Sequence, residues 1–183
     1  MSLILMIFYW LVMPISLVVS ACWLFRHTSG PFGKSFVIVA AIGLLSWFFW
    51  EAAGKKMYWD AKVRELCAKD GGIRVYETVE LPAESFDQWG NVGVSEKRYA
   101  EQTDEFYYET ITSVLKSDEP QVIKTTTKMI RRKDGKVLGE LIRFGRGGGD
   151  LPGPWYPSTY SCPPIKQNQP GLEKSVFRKG DNR

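Results

Sequence analysis

Two long apolar stretches at the start of the chain dominate its pattern of hydrophobic and polar positions. The first runs from Leu3 to Phe25 without a charge, and as a helix it measures roughly 34 Å, more than the ~30 Å hydrocarbon core of a bilayer. The second, Phe36 to Trp50, is long enough to span only when it extends through Gly54. The pattern predicts a transmembrane helical hairpin over residues 1–54, with spans at about 3–25 and 36–54.

Two other interpretations compete with this hairpin. The second stretch is short without its extension, so it also fits a buried helix of a soluble protein. The first stretch contains Val19-Ser20-Ala21-Cys22, the small-residue pattern of a bacterial lipoprotein cleavage site, at which the cysteine is lipidated. A secretory signal begins with basic residues and none precedes this segment, so we prefer an uncleaved membrane helix.

After the apolar stretches the pattern becomes that of a small α+β domain, which we place at residues 55–163. Lys55 to Asp70 predicts a helix, because apolar residues recur there every three or four positions and Gly71-Gly72 follows. We expect this helix to pack on a sheet. The recurring residues are Tyr58, Trp59, Val63, Leu66 and Cys67.

Four segments then have the composition of β-strands. They are rich in β-branched and aromatic residues, and they predict a small antiparallel sheet of about four strands. Between the last two, Asp134-Gly135 predicts a β-hairpin closed by a two-residue turn with positive φ. The four segments are Ile73 to Leu81, Phe106 to Leu115, Val122 to Arg132, and Val137 to Phe144.

The remaining segments are predicted to be irregular. Residues 82–104 indicate a polar loop with a short helix near Ala83 to Trp89. Residues 146–157 are rich in glycine and proline, and we expect an ordered loop that returns Cys162 toward the helix bearing Cys67. Residues 164–183 have the composition of a disordered tail.

Composition and charge limit the chemistry of the domain. The chain is 44% hydrophobic with a net charge of +4, but residues 1–54 carry only Arg26, Lys34 and Glu51 as charged residues. The single histidine, His27, lies between the predicted spans, so the domain lacks imidazole for a zinc site or a catalytic triad. We predict a non-enzymatic protein without cofactor or metal. A hydrolase using carboxylates between Glu77 and Glu109 is the enzymatic alternative.

Charge distribution also bears on the orientation in the membrane. Arg26 and Lys34 follow the first span and no basic residue precedes it, which favours a cytoplasmic interspan loop and external termini. The basic residues from Lys55 to Lys69 favour the opposite orientation, but the rule weakens beside large domains. Outside the spans, Cys67 and Cys162 either form a disulfide in an oxidising compartment or remain two unrelated buried thiols.

A basic face on the predicted hairpin is the candidate site for an anionic partner. Lys124, Lys128 and Arg132 share alternation parity on one strand, which places them on one face of the sheet. Such a face fits anionic lipid headgroups or an acidic partner, or it pairs with acidic residues of its own domain. We expect no nucleic acid, because the domain is not strongly basic.

Two segments of the domain carry a resemblance. WDAKVRELCAKDGGIRVYETVELP occupies residues 59–82, and KDGKVLGELIRFGRGGGDLPGPWYPSTYSCP occupies residues 133–163. With these motifs the chain resembles a group of small uncharacterised envelope proteins of Gram-negative bacteria. The resemblance implies a bacterial envelope context and favours a bond between Cys67 and Cys162, but it implies no activity. The two-span anchor is where this chain departs from shorter members of the group.

These observations lead to one functional expectation and one alternative. We expect a bacterial inner-membrane protein with two spans in the lipid bilayer and a C-terminal domain in the periplasm. The domain is expected to bind a protein partner in the envelope. In the alternative, the chain is an accessory subunit of a larger membrane complex and binds that complex through the transmembrane hairpin.

Overall fold

The fold is seen in a computed structural model that describes residues 4, 7–149, 158–164 and 171–180. The chain divides into two compact units. The first comprises residues 1–58 and 148–158, and the second comprises residues 59–147 and 159–183. The loop predicted to return the chain toward Cys162 falls largely at residues 150–157, outside the described residues.

Two apolar helices make up most of the first unit. A π-helical turn, Phe8–Val12, leads into α1 at Met13–His27, and α2 follows at Pro31–Phe49. The chain reverses at Gly30, which has a φ of 89°. Glycine adopts such a positive φ without the steric strain that a side chain would cause. Pro31 then begins α2, because its fixed φ and missing N–H suit the first helical position. The second helix therefore starts at Pro31 rather than at Phe36.

Both helices are long and apolar enough to cross a membrane. The first candidate span is Trp10–His27. In the second, α2 continues through a π-helical turn, Trp50–Gly54, into α3 at Lys55–Asp70, so that Pro31–Asp70 is helical throughout. The two apolar helices of the predicted hairpin are confirmed, as is the helix that follows them.

A six-stranded mixed sheet forms the centre of the second unit. Its order is β1-β6-β5-β4-β3, and β7 pairs with β6 on the same edge as β1. β3 is parallel to β4, and the other neighbours are antiparallel. The strands are β1 Gly72–Val75, β3 Ser95–Glu96, β4 Phe106–Lys116, β5 Gln121–Arg131, β6 Val137–Gly147 and β7 Thr159–Cys162.

The predicted sheet of about four antiparallel strands was therefore too small and too uniform. One cause is the segment Ile73 to Leu81, which was predicted as one strand but contributes to two sheets. Directly after β1, the N–H groups of Tyr76 and Glu77 both donate to the carbonyl of Leu138, at 2.8 and 3.0 Å. Two successive donors on one carbonyl interrupt the regular pairing with β6, and the chain leaves the main sheet there. It then forms β2 at Val79–Leu81.

The predicted hairpin between β5 and β6 is confirmed, with a different turn. The N–H of Arg131 donates to the carbonyl of Lys136 at 2.9 Å, so the loop holds the four residues between them instead of two. Only Gly135 has positive φ, at 68°. Asp134 keeps negative φ and its carboxylate accepts the N–H of Lys136 at 3.1 Å, which stabilises the longer turn.

The predicted disordered tail was wrong for residues 171–180. They form a short helix, α4 at Leu172–Val176, and β8 at Phe177–Lys179, which pairs in parallel with β2. Leu172, Val176 and Phe177 are buried in the core. A polar composition therefore concealed three apolar residues, two in the helix and one in the strand, that pack on a hydrophobic surface elsewhere in the fold.

Two hydrophobic cores lie on opposite faces of the main sheet. One is formed by α3 over β5 and β6, and it includes Val63 and Ile142. The other lies under α4 and includes Leu138 and Phe177, with Leu141 packed against it. Leu141 and Ile142 are adjacent in β6, so their side chains point to opposite faces and enter different cores. The expected packing of the helix Lys55–Asp70 on a sheet is confirmed.

Candidate interaction surface

A disulfide between Cys67 and Cys162 fastens α3 to β7. The two Cα atoms are 5.9 Å apart, and the bond closes a sequence separation of 95 residues. Cys67 is 8% exposed and packs in the core with Val63 and Phe144. Of the two alternatives that the sequence left open, the bonded one is present, and Cys22 in α1 is a free thiol.

A buried ion pair forms a second connection between α3 and the sheet. Arg146, at the end of β6, donates its Nε to Oδ1 of Asp60 at 2.6 Å. The Arg146 side chain is 1% exposed and that of Asp60 is 19% exposed. A buried charge needs a partner to offset its lost hydration. The carboxylate of Asp60 is therefore needed to keep the Arg146 guanidinium buried.

The predicted basic face does not form one free patch. Lys124 and Lys128 share a face of β5, but it is the face on which α3 packs, and the Lys124 ammonium lies 5.7 Å from the ring centre of Phe144. Arg132 lies beyond the end of β5, in the turn, where its Nε donates to the carbonyl of Asp104 at 2.7 Å. The prediction extended the strand by one residue, and because β5 ends at Arg131 the alternation of the strand no longer fixes the side chain of Arg132.

Lys128 belongs to a row of alternating charges that crosses the sheet. It lies opposite Glu140 on one side and Glu109 on the other. The row continues to Arg74, 3.4 Å from Glu140, and to Lys97, 3.0 Å from Glu109. The hydrogen bond to Glu109 raises the pKa of Lys97. This arrangement favours the intramolecular alternative for the basic residues, because their charges are matched within the sheet.

The hairpin turn has its own charge cluster. Glu77 forms ion pairs with Arg131 and with Lys136, the latter at 2.6 Å, and Arg131 also pairs with Asp134 at 3.0 Å. Hydrogen bonds from Lys136 and Arg131 lower the pKa of Glu77. The cluster joins the turn to the segment after β1. These charges therefore pair with one another within the fold, and we do not assign them to a binding site.

One polar loop differs from the rest of the surface because it displays a tryptophan. Trp89 is 69% exposed. The loop around it is held by Asp87, whose carboxylate accepts the N–H of Trp89 at 2.9 Å, the N–H of Asn91 at 2.7 Å and the Asn91 amide at 2.9 Å. These bonds from Asn91 lower the pKa of the Asp87 carboxyl. The backbone that carries Trp89 is therefore locally ordered.

The C-terminal helix fastens the same loop from its other side. Glu173 accepts the N–H groups of Val92 and Gly93, the latter at 2.8 Å. Lys174 donates to the carbonyl of Trp89 at 2.8 Å. The loop is thus held between its own aspartate and α4, and the indole projects from it.

A rigid, exposed tryptophan is suited to recognition. Tryptophan is enriched among the residues that contribute most to protein interfaces, and a preorganised backbone reduces the entropy lost on binding. Hydrophobic periodicity and charge did not single out Trp89 in the sequence. The signal was the run Asp87, Trp89, Gly90 and Asn91, in which turn-forming residues surround a large aromatic within a polar stretch.

Within the described part of the chain, no three His, Cys, Asp or Glu side chains are placed to hold a metal ion together. No protein-family model, curated protein or solved structure matches the chain.

Proposed function

We propose that the chain is a bacterial inner-membrane protein whose two apolar helices anchor a small periplasmic domain that binds another protein of the envelope. The binding site is the loop that carries Trp89. The observation that carries this proposal is the exposure of Trp89 on a loop that Asp87 and α4 hold in place. Non-enzymatic binding agrees with a site built from one aromatic side chain and backbone groups.

The disulfide supports the periplasmic location. Structural disulfides persist in oxidising compartments such as the bacterial periplasm, and they are rare in the cytosol. Because Cys67 lies in α3, directly after the second apolar helix, the domain and the disulfide are on one side of the membrane in this proposal. The charge asymmetry around the first helix favours the same orientation.

Alkaline phosphatase joined after Arg183 tests the orientation, because the enzyme matures only where disulfides form. We expect phosphatase activity in cells, whereas green fluorescent protein at the same position stays dark. The proposal fails if the fluorescent fusion is bright and the phosphatase fusion is inactive.

A photo-crosslinking amino acid at Gln88, an exposed neighbour that leaves Trp89 in place, tests the binding role of the full chain in intact cells. We expect an adduct of one defined mass with a different protein at this position. Lys133, an exposed residue in the hairpin turn, provides the matched control, and an adduct is not expected there. Equal adducts at both positions, or none at position 88, would contradict the proposal. Trp89→Ala is expected to lower recovery of the captured partner at least tenfold.

A specific feature of the membrane helices supports a second candidate function, in which the hairpin binds a larger membrane complex. A groove of about 620 Å³ runs between α1 and α2 and is lined mainly by apolar side chains, including Leu17, Ala21, Val37 and Ala41. Replacing the hairpin by an unrelated two-span hairpin separates the two functions. Loss of the partner after this exchange, with Trp89 intact, supports the second function over the first.

A further inference from the structure

One edge of the main sheet is open along most of its length. β4 pairs with β5 on its inner edge, but on its outer edge only Tyr107 and Tyr108 pair, with β3. Among the described residues, no strand pairs with the outer edge from Glu109 to Lys116. An open edge presents a row of backbone N–H and C=O groups that can pair with another chain.

The sequence of this edge lacks the usual protection against such pairing. The residues from Thr110 to Leu115 are all exposed, and none is charged or a proline. Ile111, Val114 and Leu115 are 46%, 54% and 50% exposed. Natural proteins guard open edges with lysine, proline or very short strands, so an apolar, β-branched edge of this length is typical of a strand that is paired in the working protein.

Charges occur only at the two ends of this open edge, and they have opposite signs. Glu109 lies at one end and Lys116 at the other. Their partners on β5 are Lys128 and Val122, which are six positions apart and so point to the same face of the sheet. The register shift between Val114 and Lys116 makes this possible, although Glu109 and Lys116 are seven positions apart. Glu109 and Lys116 therefore lie on the same face of the sheet.

We propose that two copies of this chain pair β4 with β4, antiparallel, about a two-fold axis at Thr112. In this register Leu115, the extra residue at the register shift between Val114 and Lys116, stays unpaired. Glu109 of each copy then opposes Lys116 of the other on the same face, which creates two complementary charge pairs. Thr112 opposes its own copy, and Thr110 opposes Val114. A two-fold contact uses the same patch on both copies and closes on itself, so the product is a dimer with one continuous sheet.

The surrounding structure agrees with this register. On one side of the open edge, β3 already occupies the positions beside Tyr107 and Tyr108. On the other side the chain turns after Lys116 into β5. The open edge between these limits, from Glu109 to Lys116, is the same segment that pairs in the proposed dimer. Any other register between the two copies would move Glu109 away from Lys116 in both charge pairs. This inference goes beyond the proposed binding function and does not involve Trp89, so either can fail while the other stands.

Cysteine crosslinking of the full chain in native membranes tests the dimer. In a Cys22→Ala background, T112C places two cysteines opposite each other, at a Cα separation of about 4.5–5.5 Å, within disulfide range. We expect T112C to give at least tenfold more oxidised dimer than T110C, whose cysteines are several residues apart. Equal yields overturn the proposal, as does crosslinking of T112C to a different protein instead of its own copy.

Charge reversal provides a second test that does not depend on oxidation. E109K and K116E each replace two attractive pairs with two repulsive ones, and each is expected to weaken the dimer about tenfold. The double variant E109K/K116E restores opposite charges between the copies and is expected to dimerise about tenfold more strongly than E109K, because both variants carry the same added cation beside Lys97 and Lys128. If the double variant is as weak as the single ones, the contact between these residues is disproved. The readout is energy transfer between labelled chains during dilution in lipid vesicles.

Discussion

Close approach of α4 to the sheet depends on the absence of a side chain at Gly139. A Cβ at this position would lie 2.9 Å from a methyl of Val176 and 3.0 Å from the carbonyl of Arg74. Both distances are shorter than nearly all real Cβ contacts, so the Val176 side chain or the backbone would have to shift to admit a methyl group. The φ angle of Gly139 is not positive, so its backbone conformation does not require glycine. Glycine is required at this position because of packing.

Gly139→Ala is predicted to lower the free energy of unfolding by about 1–3 kcal/mol, because the added methyl overfills the core under α4. Gly147→Ala, in the same strand, has nothing within 4 Å of the added methyl and serves as the control. Denaturant unfolding of the intact chain in detergent measures both. Equal losses in the two variants would show that strand propensity and not packing causes the effect.

At the scale of elements, two connections hold the second unit together. The disulfide joins α3 to β7, and the segment α4–β8 joins the end of the chain to β2 and to the core under the sheet. Both bring together residues far apart in sequence. Each is therefore expected to contribute much more to stability than the exposed ion pairs.

Removing the disulfide with Cys67→Ala and Cys162→Ala is predicted to lower the free energy of unfolding by about 4 to 5 kcal/mol, because the bond restricts a long loop of the unfolded chain. Cys22→Ala, which removes the free thiol, is the matched control and is expected to leave stability unchanged. The same denaturant titration, with and without reductant, provides the measurement. A double variant as stable as the natural chain would contradict the prediction.

Phe177→Ala is predicted to cost about 3–5 kcal/mol of unfolding free energy, as expected for truncation of a buried aromatic residue. Phe177 is 3% exposed, and its ring meets that of Phe106 edge-on with centres 4.9 Å apart. Arg178→Ala changes the exposed neighbour and is expected to alter stability by less than about 0.5 kcal/mol. If both variants have the same small effect on thermal unfolding, residues 171–180 do not belong to the folded core.

At the scale of the whole molecule, charge pairing determines how stability varies with pH. Hydrogen bonds from Lys62 and Lys69 lower the pKa of Glu65 from its usual 4.5 to about 2, and the pKa values of Glu77 and Asp134 are lowered too. A carboxyl with a lowered pKa stabilises the folded state above its usual pKa, and this contribution is lost as the pH falls through the folded value. Basic groups with raised pKa values, such as Lys97, also stabilise the folded state, and their contribution is lost only as the pH rises through their pKa in the folded protein.

Stability is therefore predicted to stay level from about pH 5 to 9 and to fall between about pH 4.5 and 2. Glu77→Gln is expected to reduce the size of this acid loss, because it removes one of the carboxyls that causes it. Lys136→Gln is the companion variant, because Lys136 is the main cause of the lowered pKa of Glu77, and a similar reduction is expected. Unfolding midpoints measured at each pH provide the test, and an unchanged acid slope in both variants would refute it.

Local patterns in the sequence were sufficient for the two apolar helices, for α3, and for the hairpin of β5 and β6. Each depends on periodicity or on turn residues within a short segment, so no distant contact is needed to recognise it. The cysteine pair was visible as two residues outside the apolar segments, and the resemblance favoured a bond between them. Whether they meet depends on how α3 lies on β6 and β7, which the local pattern does not contain.

Tertiary structure alone decided the rest. It split the predicted strand at Tyr76, ordered residues 171–180 through three buried side chains, matched Lys128 with two carboxylates across the sheet, and fixed the loop that displays Trp89. These features arise from hydrogen bonds and burial between residues that are distant in sequence, which composition and periodicity do not record. The sequence by itself determined the division into an apolar helical segment and a polar domain, because helix length and charge alone distinguish them.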